Sequence, residues 1–596
     1  MKKRSEIAKE YKWDLSAIFP SDEAWEEEFQ SLTHKELEFM EFKGELGKSS
    51  QNLLAYFLFE DEIEIRLENV YVYANQRLHE DSTNAKYQGY SAKAQALSIE
   101  MASLVAFVQP ELLAIPEETI SQFLKEEPRL APFEKFLKDL FRKKKHILDE
   151  KTENLLAQAG KVTQAPYDIF AMFNNADARF ADALDENGNA HPVSHGTYTH
   201  LLESSDRVLR KNAFLSMYKL YGDYKNTLAA NFAANVKQAE FYADARGYQS
   251  AREMCLDDAN IPEAVYDNLI DTVHKRMNLM HRYVAIRKKC LGLSELHMYD
   301  VYTPIVADYE MKVGYEEAKE IVKKGLAPLG EEYLFHLQEG FDNHWIDVYE
   351  NEGKRSGAYS WGTFASHPYV LLNYQENLNN VFTIAHEMGH ALHSWYSNHN
   401  QPHATADYKI FVAEVASTCN EALLMLYLIE HSTDKREKAY LLNMFMEQFK
   451  GTLFRQTMFA EFERDAHALN ASGEGLTAQT LCEMYYKLNE IYFGKDMIVD
   501  QQIELEWARI PHFYTPFYVY QYATGYSAAI ALANRILKLG EKGVEDYMKF
   551  LTGGGSKDPI DLLKLAGVDM SSAKPIEEAL DVFESVMNQF EEIYEV

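Results

Sequence analysis

Apolar residues recur at separations of three and four through the first half of this chain, and that rhythm restricts its fold more than anything else in it. Leu53, Tyr56, Phe57 and Phe59, then Ile63, Ile65, Leu67, Val70 and Val72, trace the stripe of an amphipathic helix. Similar stretches cover roughly 91–108, 120–141 and 209–243. Only 16 prolines interrupt 596 residues, which favours long helices over a loop-rich β fold. Hydrophobic residues make up 46% of the sequence, enough for a buried core. The expected class is mostly α.

Three stretches break the helical pattern. Between about 179 and 193 the chain becomes short and extended around Glu186-Asn187-Gly188-Asn189, and Asn-Gly is a strong hairpin signal. A boundary near residue 195 follows, with an N-terminal helical region at 1–195 and a catalytic region at 196–596. The second break, 353–374, is punctuated by Gly353, Gly357 and Gly362 and ends in His367-Pro368-Tyr369-Val370-Leu371-Leu372-Asn373-Tyr374. With Pro near its start this reads as an edge strand of a small β-sheet. The third is the flexible turn Gly553 to Pro559.

A formal net charge of −32 repels phosphate backbones, so nucleic acid is a poor partner. Cys255, Cys290, Cys419 and Cys482 are widely spaced and form no CxxC pair, which suits a reducing compartment. The N-terminus has charge but no apolar stretch of signal-peptide length, and nowhere do about 18 uncharged apolar residues run together. The expectation is a cytoplasmic protein without a membrane partner; oligomeric state is not legible.

The helix after the candidate strand carries His386-Glu387-Met388-Gly389-His390. Asn377, Asn379 and Asn380 offer caps, and Val381, Ile384, Ala385, Met388 and Leu392 form its apolar stripe. His386 and His390 lie one turn apart on one face and can converge on one tetrahedral ion. Glu387 sits beside that face, where it reaches a metal-bound water rather than the metal. A chance HExxH in a chain of this length arises roughly once in twenty, so context must carry the rest. The next helix supplies it. Glu414 and Glu421 are the acids of 410–421 and, seven apart, share a face to within about 20°. One can bind the metal while the other hydrogen-bonds an imidazole; Glu414 is given the metal and Glu421 the supporting place. His393 shares the histidine face but would overfill the site, so it reads as support or core. A metzincin arrangement needs Gly at 393 and His at 396, where this chain has His and Tyr, and is excluded.

Further on runs Ile510-Pro511-His512-Phe513-Tyr514-Thr515-Pro516-Phe517-Tyr518, then Val519 to Tyr526. A helix beginning near Pro516 would stack Tyr518, Tyr522 and Tyr526 at four-residue intervals. Neutral donors of this kind stabilise the oxyanion of peptide hydrolysis, but spacing alone equally allows a tyrosine stripe packed in a core.

Together the HExxH block, Phe411 to Glu421, His512 to Tyr526, Gly553 to Pro559 and the opening Trp13-Asp14-Leu15-Ser16-Ala17-Ile18-Phe19 resemble the oligoendopeptidase F branch of the thimet-oligopeptidase-like zinc metallopeptidases, along essentially the whole chain. The resemblance implies a mostly α fold with a deep channel, one Zn2+ per chain held by His386, His390 and Glu414, and cleavage of short peptides. It also implies that the His and Tyr block lines the substrate. Thimet-type tyrosines match here only after a one-residue shift, so Tyr518 and Tyr522 are preferred for catalysis, with His512 and Tyr514 next and Tyr526 alongside.

The expected reaction is endopeptidase cleavage by attack of a metal-bound water, with Glu387 as general base and His512 and Tyr518 holding the oxyanion. The strand bearing His367 and Tyr369 would pair with the substrate backbone. Gly389 costs its helix about 1 kcal/mol relative to Ala, so a close approach by another segment is expected there. A peptide-binding protein with a vestigial site, a metal-free scaffold and a carboxypeptidase-like enzyme are the competing readings.

Overall fold

The computed structural model describes residues 2–306, 309 and 311–595. It is 72% helical and 3% strand, as the apolar spacing requires. The chain divides into two compact units, each assembled from separated segments. The first comprises Met1–Lys145, Glu310–Tyr427 and Leu532–Val568; the second comprises His146–Tyr309, Leu428–Ala531 and Asp569–Val596. Residue 195 falls inside the first segment of the second unit.

In the first unit the long helix Ser50–Glu80 starts where the Ser49 side chain accepts the Asn52 N–H, at 3.1 Å. Its apolar stripe, including Leu53, Phe57, Ile63 and Val70, is buried. The predicted helix over 120–141 is broken instead into Glu117–Glu126 and Glu134–Lys143, because Pro128 and Pro132 fall between them. A three-stranded sheet of Ile346–Asp347, Tyr369–Leu371 and Tyr359–Trp361 belongs to this unit. Tyr369–Leu371 lies in the middle, parallel to the first strand (Ile346 opposite Val370) and antiparallel to the third (Tyr359 opposite Leu371). It is therefore not an edge strand, and both its hydrogen-bonding sides are taken. Pro368 precedes the ladder, so it removes no bond from it. The opening motif packs against this sheet: Trp13 meets the Tyr369 ring edge-on at 6.0 Å, and its indole N–H donates to Glu80 at 2.7 Å.

In the second unit the 39-residue helix Arg207–Ala245 is capped by Asp206. The Asn-Gly hairpin forms as expected, with Ala183 opposite His191 and Gly188 at φ +83°. Many of the 38 tyrosines turn out to be core residues that tie helices together. Tyr485 donates to Glu506 at 2.6 Å and Tyr492 to Glu461 at 2.9 Å.

Among the described residues, two helical runs are long and apolar enough to cross a membrane by length and composition, Ala85–Ala114 and Ile410–His431. The latter is mostly buried and carries the two acids of the candidate metal centre described next.

Candidate metal centre

The HExxH helix runs Leu378–Asn400, and Asn377 caps it by accepting the Asn380 N–H at 3.0 Å. Its stripe of Val381, Ile384, Ala385, Met388 and Leu392 is wholly buried, which leaves the histidine face to meet the helix Ile410–His431. The two helices touch at Gly389. A Cβ placed there would lie 2.6 Å from the Ser417 Cα and 3.1 Å from the Ala416 carbonyl, so only glycine fits. Asn420, buried nearby, donates to the Ala385 carbonyl at 3.1 Å and so fastens one helix to the other.

That close approach delivers three donor groups to one point. His386 Nε2 and His390 Nε2 lie 3.4 and 3.5 Å from Glu414 Oε2. All three donors fall within 4.8 Å of one another. A tetrahedral zinc with ligand bonds of about 2.0–2.2 Å requires donor separations of about 3.3–3.5 Å, so both imidazole–carboxylate separations and the N, N, O chemistry suit that ion. His386 Nδ1 lies 2.5 Å from Glu421 Oε1, which fixes the tautomer that leaves Nε2 as the lone-pair donor. Ser417 Oγ donates to Glu414 Oε2 at 3.3 Å. The sequence singled out all of these except Ser417 and Asn420.

Glu387 is only 7% exposed. Burial lifts its carboxyl above the usual carboxylate range, against the opposing pull of His386 and His390. A base so raised accepts a proton more readily near neutrality. His393 is core: its ring stacks on Tyr408 at 3.8 Å, and burial pushes it down to about 3.

The structure separates the other expected site residues into accessible and buried groups. Tyr369 is fully buried and its hydroxyl donates to the Asp14 carbonyl at 3.0 Å, so it supports the sheet and offers no substrate surface. His367 stacks on Trp345 at 5.0 Å, with Nδ1 2.9 Å from the Pro368 carbonyl. In the second unit the helix begins at Tyr520, not near Pro516. Tyr518 therefore lies in the preceding turn, and only Tyr522 and Tyr526 share a helical face. Tyr514 is buried against Phe170 at 4.3 Å and its hydroxyl accepts from Asn231; Tyr526 is buried with its ring edge-on to Phe449 at 5.1 Å. His512, Tyr518 and Tyr522 remain partly exposed and mutually close. Tyr522 Oη is 3.4 Å from His512 Nε2, and its ring is 5.5 Å from that of Tyr518. Burial lowers His512, which keeps the imidazole neutral at pH 7.

One residue that sequence reasoning missed stands behind this trio. Phe517 takes φ +55°, a left-handed conformation costly for a side chain with a Cβ, and its N–H donates to Glu463 Oε1 at 2.8 Å. The signal available was an acid on an apolar stripe: Glu463 shares the buried face of Phe459, Phe462 and Ala466.

A sequence model of peptidase family M3 matches residues 200–582, and one described as oligopeptidase F matches 111–180. Oligopeptidase PepF of Bacillus subtilis is 48% identical over 99% of this chain and 88% of its own length. Group B oligopeptidase PepB of Streptococcus agalactiae is 42% identical over 99% and 98%. The solved oligoendopeptidase-F from Enterococcus faecium superposes with a TM-score of 0.73 at 37% identity, covering 96% of this chain and 99% of that one.

Proposed function

This chain belongs to peptidase family M3 and is a metalloendopeptidase, and on that premise we propose that it cleaves internal bonds of short peptides with one zinc ion held by His386, His390 and Glu414. The observation that carries the metal assignment is the near-equal separation of both imidazole nitrogens from Glu414 Oε2, 3.4 and 3.5 Å. Zinc, when bound there, supplies the Lewis acidity that polarises a carbonyl and acidifies water.

The protein's own groups do the rest. Glu421 holds His386 through Nδ1, so that Nε2 keeps its aim. A Glu387 carboxylate oxygen takes the proton of the attacking water and passes it to the leaving nitrogen. His512, Tyr518 and Tyr522 donate hydrogen bonds to the carbonyl oxygen as charge develops on it. Support for that trio comes from its exposure and mutual proximity, which Tyr514 and Tyr526 lack. The names of the bacterial relatives, oligopeptidases, support short substrates. Four free thiols suit a reducing cytoplasm, where such peptides would be met.

The test is the Glu387→Gln variant together with metal analysis and mass spectrometry of products from a mixed peptide pool. The expected result is one zinc per chain in both proteins, internal cleavage by the wild type and none by the variant. Substantial cleavage by E387Q, or activity indifferent to chelation, refutes the mechanism; products shortened only from one end refute the endopeptidase assignment.

A further inference from the structure

We propose that Glu463 is a positioning residue for hydrolysis: its buried carboxyl holds the left-handed turn at Phe517 and so sets where Tyr518 and Tyr522 present their hydroxyls. The inference rests on the reading above in which those tyrosines contact the substrate.

Glu463 lies on the helix Arg455–Ala471 and is fully buried. Oε1 accepts the Phe517 N–H at 2.8 Å, and Oε2 has no hydrogen-bond partner among the described residues. A fully buried acid with one bonded oxygen is expensive to keep, and here its one bond goes to a strained residue. The Phe517 ring is pinned as well, packed on His467 of the same helix at 4.6 Å and on Tyr266 at 5.8 Å. Pro516 and Phe517 form the turn that delays the helix until Tyr520. The second turn residue is a place for Gly or Asn when φ is positive, so phenylalanine holds that conformation through its neighbours rather than by preference. Tyr518 is the next residue, and the Tyr522 N–H already closes on the Val519 carbonyl at 3.2 Å. A backbone relaxation at 517 therefore rotates Tyr518 directly and shifts the start of the Tyr522 helix. A misplacement of about 1 Å in such groups costs on the order of a hundredfold in rate.

Burial pushes the Glu463 carboxyl up to about 8, so the neutral acid is the form that glutamine imitates. The experiment measures kcat and KM of metal-loaded wild type, E463Q, E463L and E463D, with Y518F, Y522F and H512Q as controls on the underlying reading. The E463Q amide oxygen still accepts the Phe517 N–H and should keep kcat within about threefold of wild type. E463L lacks an acceptor and E463D falls short of it; both should lose 10- to 100-fold in kcat with KM little changed. Because E463D keeps a polar acid at the site, it decides the matter if E463L does not fold. Wild-type kcat in folded E463L or E463D, while the control variants are impaired, overturns the proposal; so does an E463Q as impaired as E463D. Full activity in all three controls overturns the substrate-contact reading instead.

Discussion

Substituting Gly389 by Ala should perturb the proposed metal centre without altering any of its three donor residues. The added methyl carbon would meet the Ser417 Cα at 2.6 Å, whereas carbon atoms pack at about 3.5–4.0 Å. The Ser417 Cα and the Ala416 carbonyl oxygen at 3.1 Å are backbone and cannot swing away; only the third neighbour, the Asn420 amide nitrogen at 3.1 Å, belongs to a side chain. The helix carrying Glu414 must move off by roughly 0.9 Å at the contact, and Glu414 lies one turn before Ser417. Metal–ligand distances tolerate only about 0.2 Å. Overpacking costs about 1–3 kcal/mol, of which about 1 kcal/mol returns as improved helix propensity. Global stability should thus fall by at most about 2 kcal/mol. Zinc affinity should fall further, by at least the 10- to 100-fold that follows loss of a supporting group. The assay is a competition titration with a chromophoric chelator at fixed pH, with peptide cleavage followed against free zinc and a thermal melt beside it. Gly89 is the control: it is exposed in the helix Ala85–Leu104 and no atom of the described residues comes within 4 Å of an added Cβ, so G89A should stabilise slightly and leave affinity unchanged. A folded G389A that binds zinc within twofold of wild type would refute the claim that helix spacing at this glycine sets the donor geometry.

Three further outcomes follow from the same geometry. Glu421→Ala should cost about 10- to 100-fold in zinc affinity, because His386 Nδ1 loses its 2.5 Å partner; chelator competition checks it. Tyr369→Phe should lower stability by about 1 kcal/mol through loss of the bond to the Asp14 carbonyl, with kcat/KM unchanged, since the residue is core. Glu463 is protonated in the folded protein up to about pH 8 but ionises near 4 when unfolded. The folded state then binds the extra proton, so stability from this group is full below about pH 4 and is lost as pH rises to 8, a few kcal/mol in all. Subtracting the E463Q profile of denaturant unfolding from that of the wild type should isolate this slope, and a flat difference would show the acid is not buried as described.

The helices and the convergence of His386, His390 and Glu414 were legible in the sequence because both follow local rules: apolar spacing, an asparagine cap, two imidazoles one turn apart. Gly389 was legible for the same reason, as a residue that costs its own helix and so needed a neighbour to explain it. In the tyrosine block the start of the helix departs from expectation, because a distant group decides the backbone there. Thr515-Pro516 looks like a helix start, yet the bond from Phe517 to Glu463, 54 positions away, diverts the turn and postpones the helix to Tyr520. The strand at 369–371 reads as an edge because Pro368 stands at its start; that proline precedes the ladder, and the flanking partners, two and three residues long, are too short for alternation to reveal them. The composition of the two units from interleaved segments leaves no local trace at all.

That interleaving bears on how the protein is made. The first unit opens with Met1–Lys145 and receives its last segment only with Leu532–Val568. At ribosomal speeds of 5–20 residues per second, the opening helices wait roughly 20 to 85 s for the chain that completes their packing. During that interval their apolar faces are available to chaperones and proteases alike, and a nascent chain stalled before residue 532 leaves neither unit finished.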